Sequence, residues 1–392
     1  MISNAPLITV TTSYYNDKAF LKDAIQSVLS STYTNFEYIL VDHASTDGSA
    51  AIAHSFQDPR IKHLSLPKNY GASGNILLQK ALEIAQGEYT KILCADDMLA
   101  PQGLEKLLHQ AMCDNADLVF GDVCLINEDK RSTGRTWFKH RYPAHLPVEE
   151  YIRCCIGGTS CFPYAGNFIR TSKLRNIPMD YVSVQLADIG LWMDLLLNGA
   201  KLTFVDDLVA DYRIHAQQTC NVSNLDIIFL RSKFEHFLFC DHFFHAHPSL
   251  PLLKKIFPDS TFINQLTEEE ADLFPFAITH AIYHLNYLPA EYKLAARIKL
   301  AKLLNDTNLQ QNIEQKFGFS IADLRQDIIK NPIIPFSINY MLANTPQTSS
   351  FKYRMYGLLR KVICRLLLLG WNIKQHFKKG ISSPTAKSKD IV

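Results

Sequence analysis

The chain has 392 residues, 47% of them hydrophobic, and a formal net charge of +2. It is long and apolar enough to bury a large core and to hold more than one domain, and its charge balance excludes a generally basic nucleic-acid binder. Ten Lys and Arg stand against one Asp over residues 351–392, a surplus of nine positive charges, which leaves the first 350 residues with a net −7.

From Pro6 the pattern alternates strand and helix. Residues 7–11 and 36–41 read as strands around a helix at 19–30, where Phe20, Ala24, Ile25, Val28 and Leu29 fall on one face. The cycle repeats with a helix at 49–56, a strand at 61–66, a helix at 74–86 and a strand at 89–94. Pro101 then opens another helix, and 117–120 gives a further strand. This alternation predicts an α/β fold with a mostly parallel sheet, whose ligands sit beyond the carboxyl ends of the strands. After about residue 220 helical, aromatic-rich segments take over at 225–244, 268–285, 291–304 and 321–329. The expected organisation is an α/β domain over 1–220, an α-helical region over 221–345, a basic amphipathic helix over 346–380 and a disordered tail over 381–392, with the polar stretch 344–350 as a linker.

Nine cysteines show no CxxC pair and no metal-finger spacing, which predicts a reducing compartment. MISNAPLITV lacks a charged segment followed by an apolar one, and no run approaches the roughly 18 apolar residues of a spanning helix. Both features predict a cytoplasmic protein.

The strand at 89–94 leads into Asp96 and Asp97, two adjacent carboxylates that repel unless a cation or hydrogen-bond donors offset them. A hard divalent ion, held through one carboxylate and completed by water and phosphate oxygens, resolves the conflict; a solvated turn or a helix cap before Pro101 is the plainer alternative. A second strand end, VDHASTDGS at 41–49, delivers Asp42 and His43 ahead of a tight turn rich in donors.

The ordered segments ITVTTSYYN, FEYILVDHASTDGS, KNYGASGN and AQGEYTKILCADDM resemble the N-terminal half of family 2 glycosyltransferases, which have the GT-A fold. The resemblance spans about residues 6–220. It implies Ser13 and Tyr15 beside the nucleotide of a nucleotide-sugar donor, a UDP-sugar first, with Asp42 in the base pocket and Asp96 near the ribose. Asp97 would hold a divalent metal, Mn²⁺ or Mg²⁺, on the donor diphosphate. His43 stands where the family commonly has a second acid, and Gly74 where it often has an Arg before Asn75; Lys68 is the candidate for the missing charge.

Further on, LADIGLWMDLLLNG at 186–199 resembles the family's E-D-x-D-L-W pattern, whose second acid is the catalytic base. Asp188 matches that acid, with Ala187 and Gly190 replacing its acidic neighbours; on spacing alone it equally caps a helix N-terminus. Asp194 is expected to face away or to pair on the surface. DYRIHAQQTC at 211–220 is similar to the family's Y-R-x-H segment, which implies His215 at the metal or diphosphate and Arg213 as a phosphate partner. YAGN at 164–167 sits where such proteins shape the acceptor pocket and equally reads as an ordinary turn, so no acceptor residue is assigned. The implied activity is inverting transfer of a sugar to an acceptor hydroxyl.

Within 353–379, Leu359, Val362, Ile363, Leu366, Ile373 and Phe377 share one arc, opposite Arg354, Lys361, Arg365 and Lys379. Such a helix suits an anionic membrane surface, or docking on its own domain or a second subunit. The membrane option points to peripheral attachment at the cytoplasmic face and to a glycan or glycolipid acceptor, such as a lipid-linked precursor of a surface polysaccharide. A nucleotidyltransferase would need a basic, Gly-rich loop where TTSYYND stands, and a dinucleotide oxidoreductase lacks support because GxGxxG is absent. The remaining alternative is a sugar-nucleotide-binding or membrane-scaffold protein that has lost activity.

Overall fold

The computed structural model describes residues 5–71, 74–179, 183–184, 186–216, 218, 235, 243, 246, 248–288 and 290–331. Its strands are β1 (Ile8–Tyr14), β2 (Phe36–Asp42), β3 (Ile61–Ser65), β4 (Tyr89–Ile92), β5 (Met98–Leu99), β6 (Leu118–Ile126), β7 (Ser132–Thr136), β8 (Asn167–Arg170) and β9 (Leu202–Arg213). Among the described residues they form one sheet in the order β3-β2-β1-β4-β8-β6-β9-β5, with β7 paired to β6. Strands β3, β2, β1 and β4 run parallel, as do β6 and β9. Between them β8 runs antiparallel to both β4 and β6.

Every residue of β2 is buried. Such continuous burial, in place of alternation, belongs to a strand covered on both faces. Tyr38 and Leu40 enter one apolar cluster and Ile39 and Val41 the other, as the two-residue repeat of a strand requires. Helices α1 (Leu21–Leu29), α2 (Ser49–His54), α3 (Gly74–Ile84) and α4 (Gly103–Cys113) follow the first strands, and α5 (Trp137–His140), α6 (Val148–Ile156), α7 (Thr171–Arg175) and α8 (Ala187–Leu197) follow in order. Leu21, Ile25 and Val28 of α1 and Leu104, Leu107 and Leu108 of α4 close the first cluster. The second takes Leu77 and Leu78 of α3, Ile152 of α6 and Trp192 of α8.

That second cluster continues through the helices Leu250–Ile256, Thr261–Gln265, Phe274–His284, Ala290–Leu303, Thr307–Phe317 and Ile321–Lys330, which add Leu253, Ile263, Phe276, Leu300, Ile313 and Leu324 to it. The segment 268–285 divides into a 3₁₀ turn, Glu268–Leu273, boxed by Thr267 and Glu270, and a helix with Pro275 in its first turn. The linker 344–350, the basic helix 346–380 and the tail 381–392 lie outside the described residues, as does 225–244 apart from Glu235 and Phe243. No helix among the described residues is long and apolar enough to cross a membrane.

Asp194 is not on the surface. It is 1% exposed, because α8 is buried on every side from Ile189 to Leu197 and has no solvent face to offer. Gly87, in the AQGEY segment, lies so close to β1 that a Cβ there would stand 2.2 Å from the Thr9 amide nitrogen. Its own amide donates to Thr9 Oγ1 at 2.9 Å and to Glu37 Oε1 at 3.1 Å. This fixes the start of β4 against β1 and β2, and so sets where β4 delivers its end.

Candidate active site

The carboxyl ends of β1 and β2 are in register, with Tyr14 opposite Asp42, and β4 lies on the other side of β1. The loops leaving β1 and β2 are stitched together by their own polar side chains. The Thr46 amide donates to Asn16 Oδ1 at 2.8 Å, the Asn16 amide to Ser45 Oγ at 3.2 Å and the Lys18 amide to Asp47 Oδ2 at 3.0 Å. Asp42, 7% exposed, accepts from the Ser45 amide at 3.0 Å. The Ser-Thr-Asp cluster thus spends donors on loop geometry. Ser13 is half-buried on β1, and Tyr15 is exposed, its ring 6.1 Å from that of His43.

His43 is 3% exposed, and its Nε2 accepts the Tyr70 amide at 2.7 Å, so the ring is neutral with its proton on Nδ1. Burial holds its pKa below the usual value. Its ring stacks on Tyr70 at 6.1 Å, and Lys68 Nζ lies 5.2 Å from the far ring, so His43 fastens the 68–71 loop beside Asp42. Asn75 is buried in the first turn of α3.

Beyond β4 the chain turns through Cys94, Asp96 and Asp97, whose ligand atoms all lie within 4.8 Å of one another. Asp97 is 1% exposed, and its Oδ1 accepts the Arg213 amide at 2.9 Å. Burial first, and Asp96 second, hold the Asp97 carboxyl well above the ordinary range. Asp96 accepts His215 Nε2 at 2.9 Å on Oδ2. Asp17, also facing Asp96, is pushed up to about 6, chiefly by burial. The corner therefore carries more carboxylate than its own donors satisfy.

Arg213 is placed differently from its expected partner. It is 1% exposed, and its guanidinium donates to the Asp96 carbonyl at 2.8 Å, the Glu128 carbonyl at 2.7 Å and Asp23 Oδ2 at 3.2 Å, with Phe20 4.8 Å beneath it. These contacts orient the Asp96-Asp97 turn and point the guanidinium at protein acceptors in place of a diphosphate. His215, on Phe20 at 4.6 Å, is poised on Asp96.

Asp188 is half-buried in the first turn of α8, which it enters as Val184 and Leu186 donate their amides to Glu235 at 2.9 and 2.7 Å. Desolvation pushes its carboxyl up to about 6, against the 2.8 Å bond from the Ile189 amide. Burial first, with Cys94, Asp188 and Asp97 after it, holds the Tyr164 hydroxyl well above its ordinary pKa. The turn bearing Tyr164 is clamped to β4. Asn167 accepts from the Ile92 amide at 2.9 Å and donates to the Ile92 and Tyr164 carbonyls, while buried Lys91 reaches the Ile92 and Ala165 carbonyls at 2.9 and 2.7 Å. Burial pushes Lys91 down to about 7.

Cys94, Lys91 and Asp17 carry no role in the sequence reading, and Tyr164 and Asn167 enter it only within YAGN, where no residue is assigned. The signals available were a lysine inside an apolar strand and a thiol two residues before the acid pair.

Residues 9–177 match the sequence profile of "Glycosyl transferase family 2". A Bacillus subtilis glycosyltransferase named for teichuronic acid biosynthesis is 30% identical over 211 residues, which is 53% of this chain and 79% of the relative. This chain belongs to glycosyl transferase family 2. Its α/β domain is of the GT-A type, with the mixed, mostly parallel sheet described above. An Escherichia coli member, a UDP-Glc:alpha-D-GlcNAc-diphosphoundecaprenol beta-1,3-glucosyltransferase, is 26% identical over 212 residues, 54% of this chain and 78% of its own. The crystal structure of S. aureus TarS 1-349 with UDP aligns with a TM-score of 0.49 at 16% identity, covering 79% of this chain and 91% of that one. The family profile ends before α8, so Asp188, Arg213 and His215 lie beyond it.

Proposed function

We propose that this chain is an inverting, metal-dependent glycosyltransferase that moves a sugar from a nucleoside-diphosphate sugar, a UDP-sugar first, to an acceptor hydroxyl. The observation that carries the reading is the gathering of Cys94, Asp96 and Asp97 just beyond the end of β4. The donor set suits a divalent cation: two hard carboxylates fit Mn²⁺ or Mg²⁺, and burial with the neighbouring Asp96 holds the Asp97 carboxyl well above its ordinary range. Asp97 and Asp96 would hold it, with His215 close by on Asp96. When bound, the cation neutralises charge on the departing diphosphate.

Asp188 is the base. A carboxyl held at about 6 is ionised at neutral pH yet basic enough to take a proton from an attacking hydroxyl. Ser13, Tyr15, Asp42 and His43 line the nucleoside side at the ends of β1 and β2, with Lys68 and Asn75 on the flanking loop and helix. Arg213 orients the acid turn.

We take the acceptor to be a lipid-linked glycan precursor of a surface polysaccharide, met at the cytoplasmic face of a membrane by the basic segment 351–380. Support for this is the diphosphoundecaprenol acceptor in the name of the E. coli relative, together with the excess of positive charge in that segment. The test is release of nucleoside diphosphate from UDP-sugars with Mn²⁺ or Mg²⁺. Turnover is expected to need metal and to fall sharply in Asp97→Asn; metal-independent turnover that survives this change would defeat the reading.

A further inference from the structure

A second basic feature lies beside the acid corner. Between Lys130 and Arg141 the chain carries five Lys or Arg and no acid, within a first 350 residues of net −7. The segment forms β7 and α5, folded back on β6, and opens a cavity of about 370 Å³ lined by Leu125, Thr133, Arg135, His140, Arg141 and Ile214. No lining residue is acidic. The Arg141 guanidinium carbon lies over the Trp137 ring at 4.7 Å and over the Tyr212 ring at 5.9 Å. Among the described residues neither Arg135 nor Arg141 has an ion-pair partner, while Lys130 is spent on Asp23 at 2.9 Å. Thr133 Oγ1 donates to the Leu125 carbonyl at 2.8 Å, which leaves its oxygen lone pairs facing away from that bond.

The cavity is tied to the site by Ile214, which sits between Arg213 and His215 and donates its amide to the Ile126 carbonyl at 2.8 Å. Two guanidinium forks, one pre-oriented by aromatic rings, suit oxyanions that accept several hydrogen bonds at once. A cavity of this size falls in the range of small-ligand sites. The acid corner repels anions unless a cation is present, whereas this cavity attracts them without one.

We propose that the cavity lined by Arg135, His140 and Arg141 is an acceptor subsite that binds a phosphate or diphosphate group of the acceptor. It rests on the transferase reading and adds to it the chemical class of acceptor: a phosphate-bearing one. The phosphate belongs either to a lipid-linked diphosphate or to a soluble phosphate-bearing glycan.

The test is calorimetric titration of the full chain with inorganic pyrophosphate in EDTA, which removes any metal-held binding at the acid corner. Saturable binding is expected, weakened at least tenfold in R135A/R141A, weakened less in R135K/R141K and unchanged in D97N. Absence of binding, or binding equal in R135A/R141A and wild type, overturns the proposal. In a second arm, phosphatidylcholine vesicles with and without phosphatidic acid compete for the pyrophosphate site. Displacement by phosphatidic acid supports the subsite with a lipid-borne phosphate; pyrophosphate binding that persists supports it with a soluble one. Failure of the transferase reading has another signature, donor turnover that survives D97N, and leaves the pyrophosphate titration untouched.

Discussion

Asp188 and Asp97 are both carboxyls pushed above their ordinary range by burial, yet their surroundings assign them different work. Asp97 has Asp96 beside it and the Arg213 amide on one oxygen, which is the setting the proposed function gives to a bound cation. Asp188 has no basic group among the causes of its shift, and its carboxyl stands at about 6. The pH dependence follows with a definite sign. Only the carboxylate accepts a proton, so kcat/KM should climb as pH rises through about 6, and this limb should vanish in Asp188→Asn. That substitution should slow transfer by about 10²–10⁴-fold, the usual worth of a general base, while UDP binding by calorimetry stays the same. An unaltered acid limb in the variant would assign the base elsewhere. At this scale the sequence was legible in where residues fall, as with Asp96 and Asp97 together just beyond the end of β4. It misled at Arg213, whose string position next to His215 suggests a ligand contact. The three-dimensional neighbours Asp23, Glu128 and Phe20, far away in sequence, take its guanidinium instead.

At the scale of elements, the site depends on how two short segments are fastened to β4. Asn167 is fully buried and satisfies both the amide and the carbonyl of Ile92. Asn167→Ala takes the side-chain acceptor from the Ile92 amide, while the Ile92 carbonyl keeps Lys91, and should cost about 1–3 kcal/mol, the usual cost of a buried unpaired polar group, read as a lower urea midpoint. Gly87→Ala forces a Cβ onto the backbone of β1 and should cost on the order of 1–3 kcal/mol, like other overpacking changes. Little loss in either variant would mean that β4 is held by other contacts. The strands with clean apolar runs, β1 to β4, were legible from sequence within a few residues. β9 was not, because Asp206 and Asp207 interrupt its pattern where the pairing with β6 shifts register. There the exposed acids sit on an irregular stretch that a period-two reading treats as a break.

At the scale of the molecule, the apolar cluster that covers one face of the sheet runs on into the helices from Leu250 to Lys330. Ile39 of β2, Phe120 of β6 and Trp192 of α8 share it with Phe276, Leu300 and Leu324. A chain cut after residue 216 would expose that face and is expected to lose cooperative unfolding by circular dichroism; a sharp transition in the truncated chain would show that the α/β part stands alone. The change of character after residue 220 was visible in the sequence, but the sharing of one core was not, since composition does not say which faces meet.

The proposed function requires the carboxylates after β4 to bind a nucleoside diphosphate by way of a divalent cation. Calorimetric titration of UDP into the full chain with Mn²⁺, with EDTA, and in Asp97→Asn tests this most directly. Tight binding with Mn²⁺ that is lost in EDTA and in Asp97→Asn is the expected result. Equal binding under all three conditions would contradict it.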